Sequence, residues 1–155
     1  YMISGNHPLS FKKKAGYNIV RMIARHREDI VHIGDVEGEF TIGSLRFQIK
    51  HPEGGVSYAR SYRLQKMNEA LGRGEDIPDM LIFGHFHIAL YMPYLGTHNW
   101  GAACLQAQTP YLRGKGLAPD IGFWIVEFVF DREGKIWKVL PEYFDLSHAV
   151  KERDY

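Results

Sequence analysis

Several side chains that bind metals or transfer protons follow apolar segments of this chain, at the point where each segment ends. The five are Asn6, His7, His51, His85 and His87. The segments that precede them, at 1–3, 45–50 and 80–83, are typical of buried strands. In an open sheet flanked by helices, ligands bind beyond the carboxyl ends of the strands. If these strands are neighbours, the five side chains meet at one edge of the sheet.

Imidazole nitrogens together with an amide oxygen form a plausible ligand set for a hydrolytic metal ion. Imidazole suits ions such as Zn and Fe, and an amide oxygen is a harder ligand, so the set does not resemble a thiolate structural site. On an extended backbone, the imidazoles of His85 and His87 would lie on one side, about 7 Å apart at Cβ. Each could then serve one of two metals about 3.5–4 Å apart, while Phe86 between them points away and packs.

These residues resemble sequence motifs of the calcineurin-like metallophosphoesterases, which are binuclear metal enzymes that cleave phosphomonoesters and phosphodiesters. The family pattern consists of Asp-x-His, Gly-Asp, Gly-Asn-His, a lone His and Gly-His-x-His, in that order. Gly5-Asn6-His7, His51 and Gly84-His85-Phe86-His87 are similar to the last three blocks and occur in the family's order. The resemblance extends from Tyr1 to about Gly122.

The resemblance implies a role for each matching residue. Asn6, His51 and His85 would ligate one of two divalent metal ions, and His87 would ligate the other, with Mn favoured over Fe, Zn or Mg. His7 would be catalytic, stabilising charge beside the substrate phosphate or protonating the leaving oxygen, which suits a side chain that titrates near neutrality. A hydroxide would be the nucleophile, because bound cations lower the pKa of water.

Two features depart from the family pattern. No Asp-x-His occurs, and the Gly-Asp pair at 34–35 follows the Gly-Asn-His block, so we interpret it as a turn. We therefore expect the chain to be the C-terminal part of a longer phosphoesterase, with weak metal binding and deficient catalysis on its own. Pro8 stands where many family members have an acidic residue that orients the histidine, which places the tuning of His7 in question.

Composition indicates an ordinary globular chain of one domain. The 155 residues are 45% hydrophobic and 24% charged, enough for a sizeable core. A net charge of +1 does not indicate a nucleic-acid binder. Cys104 is the only cysteine, so no internal disulfide is possible, which fits a reducing compartment and a cytoplasmic location. No apolar run approaches the roughly 20 residues that span a membrane.

Hydrophobic periodicity predicts strands and helices in an α/β order. Helices are predicted at 17–29 and 58–71, the second with Ser57 as N-cap, and residues 9–16 are predicted to be a basic loop. Strands are predicted at 1–4, 30–33, 39–42, 45–50, 80–83, 89–95, 102–108, 123–130 and 136–144. This order favours an α/β layered sandwich. The resemblance implies the C-terminal portion of a four-layer αββα metallophosphoesterase sandwich, with residues 1–155 as one incomplete calcineurin-like domain.

Other residues are candidates for substrate binding. Arg60 and Arg63 begin a predicted helix, whose N-terminus attracts anions, and His98 follows a predicted strand. The lysines at 12–14 are either a solvated loop or a patch that steers phosphate. Several aromatic side chains either pack or stack the bases of a single strand, namely Tyr58, Tyr62, Tyr91, Tyr94 and Trp100.

The leading hypothesis is a metal-dependent phosphoesterase that hydrolyses phosphomonoesters or phosphodiesters through a binuclear metal site. One alternative is a non-catalytic phosphoesterase-like scaffold subunit, like the small subunits of some replicative polymerases. Another is a nuclease subunit acting on nucleic acid. The retained histidines favour the enzyme, whereas Pro8 and the absent aspartates favour the scaffold. Expected partners are the phosphoester substrate, possible nucleic acid, and either the missing N-terminal part of the domain or a second copy at an exposed sheet edge, with no membrane.

Overall fold

The computed structural model describes residues 1–71 and 77–149, and within these ranges nine strands and four helices follow one another along the chain. The strands are β1 (Met2–Ile3), β2 (His32–Gly34), β3 (Glu37–Ile42), β4 (Leu45–Lys50), β5 (Met80–Phe83), β6 (Leu90–Tyr94), β7 (Thr97–Gly101), β8 (Gly122–Phe130) and β9 (Ile136–Asp145). The helices are α1 (Asn6–Ala15), α2 (Ile19–Arg25), α3 (Tyr62–Ala70) and α4 (Pro110–Gly114). None of these helices is long and apolar enough to cross a membrane.

The central sheet has five strands in the order β3-β4-β5-β7-β6. β5 runs parallel to both of its neighbours, whereas β3 and β6 are antiparallel to theirs. Because β5 is central and covered on both faces, it is apolar at all four positions and does not alternate. This mixed sheet between layers confirms the predicted α/β class.

The two faces of the sheet bury separate hydrophobic clusters. Leu81 and Phe83 face α3, where Leu64 packs against them. Met80 lies on the opposite face together with Leu45 and Trp100, under the hairpin of β8 and β9. Successive residues of β5 thus point to opposite layers, as the two-residue period of a strand requires. Helix, sheet and hairpin give three of the four layers that the resemblance implies.

Backbone hydrogen bonds place the ends of β1, β4 and β5 next to one another. β1 pairs with β2 in parallel, and the Gly5 amide continues the pairing by donating to the Asp35 carbonyl (2.8 Å). The His51 amide donates to the Val36 carbonyl (2.7 Å), and the Gly84 amide donates to the Lys50 carbonyl (2.9 Å). Backbone hydrogen bonds therefore hold the three segments that carry the candidate ligands side by side.

The predicted basic loop at 9–16 is wrong, because this segment belongs to α1. Pro8 lies in the first turn of α1, where its missing N–H costs nothing. Gly16 ends the helix in a left-handed conformation (φ 82°), and its amide donates to the Lys12 carbonyl. The three consecutive lysines occupy the last turn, where positive charge is favourable beside the helix dipole. The interpretation of these lysines as a loop fails for the same reason.

Other elements also differ in position from the prediction, two of them by several residues. The strand expected at 102–108 is instead β7, five residues earlier, because the chain reverses tightly at Leu95 and Gly96. Both residues have positive φ (51° and 82°), as a two-residue hairpin turn requires, and a leucine gives no signal of that turn. α3 begins at Tyr62 rather than at 58, and Ser61 rather than Ser57 occupies its N-cap position.

A buried polar network fixes the loop that follows β1. The Asn18 side chain donates to Ser4 Oγ (2.7 Å) and to Asp35 Oδ1 (2.8 Å), and its oxygen accepts from the Arg21 amide (3.1 Å) as the N-cap of α2. Lys12 Nζ also donates to Asp35 Oδ2 (2.9 Å), and this bond is the main cause of the lowered pKa of Asp35. One amide side chain thus ties β1, α2 and the turn after β2 together, and Asp35 sits in that turn, as predicted.

We expect Asn18→Ala to lower the free energy of unfolding by about 2 kcal/mol, because it removes an N-cap and two bonds from buried or half-buried partners. Chemical denaturation followed by circular dichroism measures this change. Arg132→Ala, in the exposed turn between β8 and β9, is the control and should shift stability by no more than about 0.5 kcal/mol. Equal effects of the two substitutions would contradict the structural role given to Asn18.

Candidate metal centre

Three of the predicted ligands meet in one cluster at the carboxyl ends of β1, β4 and β5. Asn6 Oδ1 lies 2.8 Å from His51 Nε2. His51 Nε2 lies 3.2 Å from His85 Nδ1, and the two rings meet edge to face with centroids 4.9 Å apart. We refer to Asn6, His51 and His85 as the ligand cluster.

The spacing of these three atoms fits a shared cation. Two ligand atoms that are each about 2.1 Å from one ion lie about 3.0 Å apart at a right angle and about 3.4 Å apart at the tetrahedral angle. The separations of 2.8 and 3.2 Å are close to that range. Within the described residues no group of three or more His, Cys, Asp or Glu side chains could hold a metal, and the candidate set combines two imidazoles with the amide oxygen of Asn6.

A backbone carbonyl orients the His85 ring. His85 Nε2 lies 2.7 Å from the Gly54 carbonyl oxygen, which can only accept, so this nitrogen carries the proton. In the neutral ring, the unprotonated Nδ1 then faces His51. A ligating histidine usually donates its other N–H to a carbonyl or carboxylate in this way. The loop that follows β4 therefore sets the tautomer of a residue that follows β5.

The glycines of both motifs make room for the His51 ring. A Cβ on Gly5 would lie 2.9 Å from His51 Nδ1, and a Cβ on Gly84 would lie 3.3 Å from the same atom. Gly5 also has φ 75°, in the left-handed region that glycine adopts without strain. His51 is thus held between two backbone segments that have no side chains.

The surroundings keep His51 neutral at physiological pH. Burial, and then the nearby His85, His7 and His87 in that order of importance, together lower the pKa of His51 to about 4. The side chains that shift this pKa electrostatically are all histidines, so protonating one disfavours protonating another. A neutral imidazole is the form that binds a metal ion.

His87 lies beside the ligand cluster but not in the extended geometry that the sequence suggested. His85 and His87 both have positive φ, 74° and 53°, so the backbone turns after β5 and the expected extended spacing is wrong. Phe86 between them is buried in the core, as predicted. Burial, and then His85 and His7, lower the pKa of His87, which places the three rings within electrostatic reach.

Asp120 holds the turn that carries His87. Its amide donates to the His87 carbonyl (2.9 Å), and its carboxylate accepts from the Ala89 amide (2.7 Å) and from the Arg60 guanidinium. No sequence pattern indicates this role, because Asp120 lies between the strands predicted at 102–108 and 123–130, far from the motifs. The Gly54 carbonyl was missed as well, since a backbone acceptor has no signature in the sequence.

His7 is exposed in the first turn of α1, next to Asn6. It contributes to the lowered pKa of His51 and of His87, so its ring is near both. This position is compatible with the predicted catalytic role, which stays a prediction. Pro8 is accommodated by the helix and supplies no group that orients His7.

Two of the three predicted substrate-binding residues, Arg60 and Arg63, are engaged in contacts within the protein. Arg60 pairs with Asp120, and Arg63 donates to the Glu53 carbonyl (2.8 Å) and lies over the Phe86 ring. Both border the ligand cluster, and Arg63 has a clear structural role there.

His98 does not join the cluster. It pairs in register with Met80 at the start of β5, about 10 Å of strand from its other end. The Tyr91 hydroxyl and His98 Nδ1 share a hydrogen bond (2.7 Å). His98 therefore lies away from the ligand cluster, and its role in substrate binding stays a prediction.

No protein-family model matches the chain, and no curated protein matches it. Its fold is similar to that of an archaeal phosphodiesterase (16% identity, 82% of this chain and 61% of that chain, TM-score 0.44). It is also similar to Vps29 from Entamoeba histolytica in complex with Zn²⁺ (16%, 72% and 61%, TM-score 0.44) and to Vps29 from Cryptosporidium parvum (13%, 89% and 89%, TM-score 0.45). The chain spans about three fifths of the first two proteins.

We expect Gly5→Ala to weaken metal binding, because its methyl group would displace His51 from Asn6. Gly16→Ala is the matched control, since Gly16 also has positive φ (82°) but nothing lies within 4 Å of an added Cβ. Both substitutions should cost about 1–2 kcal/mol of stability through backbone strain, while only Gly5→Ala should reduce Mn²⁺ affinity in calorimetric titration. Equal metal affinities for the two variants would argue against the packing described.

The metal-free protein should lose stability as the pH falls from about 6.5 to about 4. The pKa of His51 has its ordinary value of 6.5 in the unfolded chain and is about 4 in the folded chain. Between these pH values the unfolded state binds a proton at His51 and the folded state does not, so lower pH favours unfolding. Denaturation in EDTA at several pH values measures this dependence. His51→Asn should flatten the pH dependence across this window relative to the unsubstituted chain, whereas His26→Asn, an exposed site, should leave it unchanged.

Proposed function

We propose that this chain carries the metal-binding part of a phosphoesterase that hydrolyses phosphomonoesters or phosphodiesters. The supporting observation is that His51 Nε2 lies 2.8 Å from Asn6 Oδ1 and 3.2 Å from His85 Nδ1. Two imidazoles and an amide oxygen at one open edge of a sheet suit a divalent ion that stays accessible to a ligand. Mn²⁺ is the ion we favour.

The proposed centre has a division of labour among its residues. A divalent cation bound here supplies positive charge for a phosphate oxygen and lowers the pKa of water. Asn6, His51 and His85 hold that cation, and the Gly54 carbonyl keeps His85 in the correct tautomer. His7, exposed next to Asn6, acts as the proton donor to the leaving oxygen or as a hydrogen-bond donor to the phosphate.

His87 is proposed to ligate a second cation. Among the described residues, the imidazoles beside the ligand cluster are His7 and His87. His7 has the proposed role of proton donor, which leaves His87 for the second cation. A bridging carboxylate is proposed to come from a further segment of a longer domain or from a second copy. Full activity is therefore expected only when that carboxylate is present.

A scaffold role is the second candidate, and one specific observation favours it. The hairpin of β8 and β9 exposes apolar side chains on its outer face, namely Phe123, Ile125, Trp137 and Leu140. Exposed apolar patches of this kind often mark contacts with other proteins. A scaffold needs this face but does not need neutral, convergent imidazoles, so metal binding separates the two candidates.

Mn²⁺ binding tests the proposed centre directly. His51→Ala and His85→Ala should each lower Mn²⁺ affinity by at least about 100-fold in isothermal titration, since even outer-shell residues typically contribute 10–100-fold. His26→Ala is the control, because His26 is exposed at the end of α2, and it should bind Mn²⁺ like the unsubstituted chain.

Turnover of an aryl phosphomonoester and an aryl phosphodiester provides the second measurement, made with the chain joined to the further segment that is proposed to supply the bridging carboxylate. Activity should require Mn²⁺, fall in His7→Ala without loss of metal affinity, and disappear in His85→Ala. Absence of Mn²⁺ binding, or activity that survives His85→Ala, would rule out this centre and leave the scaffold as the better reading.

A further inference from the structure

Two clefts meet at the ligand cluster and share Gly54 and His85 in their walls. The first has a volume of about 640 Å³ and is lined by Asn6, His51 and the lysines at 12–13. The second has a volume of about 280 Å³ and includes His87 and the side chains of Tyr58 and Tyr111. One side of the cluster is thus basic and the other is aromatic.

The two tyrosines of the second cleft are unusually exposed. Tyr58 is fully exposed and Tyr111 is 71% exposed, and within the described residues neither ring stacks on another. Some other aromatic side chains are packed, such as Tyr91 on Trp100 with ring centroids 4.1 Å apart, whereas the exposed Trp137 lines neither cleft. Exposed rings gathered in one cleft are typical of a surface that binds a planar partner.

An ion pair and a backbone hydrogen bond connect the aromatic cleft to the turn beside the ligand cluster. Arg60 follows Tyr58 by two residues and pairs with the Asp120 carboxylate. The Asp120 amide in turn donates to the His87 carbonyl. The segment that presents Tyr58 is therefore anchored to the turn that presents His87, so a group held by the tyrosines lies at a set position relative to the metal ligands.

We propose that Tyr58 and Tyr111 form a subsite for the nucleobase of a nucleotide phosphoester, and this inference rests on the proposed function. Bases stack on aromatic side chains regardless of base identity, because every base has a π-face. A phosphate at the ligand cluster would direct its base-bearing side into the aromatic cleft. The basic cleft leaves room for a second substituent, so a nucleotide phosphodiester fits the pair of clefts better than a phosphomonoester.

The subsite is tested by ligand binding without metal. NMR titrations in EDTA compare thymidine 5′-monophosphate with deoxyribose 5-phosphate, which carries the same phosphate and sugar but no base. The unsubstituted chain should bind the nucleotide at least about fivefold more tightly, the lower end of what one stacked base contributes. Tyr58→Ala and Tyr111→Ala should each reduce this preference, and Tyr58→Phe should retain it.

Two controls keep the result interpretable. Tyr17→Ala removes a half-exposed ring that contacts Phe11 rather than either cleft, and it should preserve the preference. Mn²⁺ titration of the same samples reports separately on the ligand cluster, so a failed subsite and a failed metal centre are distinguished. Equal affinity for the two ligands in the unsubstituted chain, or a preference that survives both alanine substitutions at Tyr58 and Tyr111, would overturn the subsite.

Discussion

The candidate site depends on one constraint, the backbone pairing that brings the ends of β4 and β5 together beside the end of β1. The Gly84 amide donates to the Lys50 carbonyl. His51 directly follows β4, and His85 follows β5 after Gly84. Without this pairing, Asn6 and His85 would be separated by 79 positions of chain with nothing to hold them at ligand distance. The convergence of the cluster is a property of the sheet and not of any single motif.

The backbone also determines the chemical state of the ligands. Gly5 and Gly84 admit the His51 ring because they lack side chains, and the Gly54 carbonyl fixes the protonated nitrogen of His85. Burial and neighbouring imidazoles then keep His51 neutral. Rigid packing, low protonation and a fixed tautomer are the conditions under which weak individual ligands bind an ion together.

The two sides of the cluster differ in chemistry, and this difference would orient a bound substrate. Lysines line one cleft and exposed tyrosines line the other. Asp120 couples the aromatic side to His87 through its backbone and to the Tyr58 segment through Arg60. A residue with no predicted role thus connects the element that would recognise a substrate with the element that would hold an ion.

Sequence alone identified the candidate ligands and the strands that precede them, because an apolar run followed by a histidine is a local pattern that the sequence displays directly. It also placed the β8–β9 hairpin and the packed Phe86. It did not reveal α1, whose proline and lysines look like a loop until the helix is seen to start at Asn6, nor β7, whose turn contains Leu95 at positive φ. Only the tertiary structure decided that His98 lies at the far end of β5, that the turn after β5 is not extended, and that Gly54 and Asp120 orient the histidines. Those contacts join residues distant in the chain through backbone groups, and backbone groups are the same in every sequence.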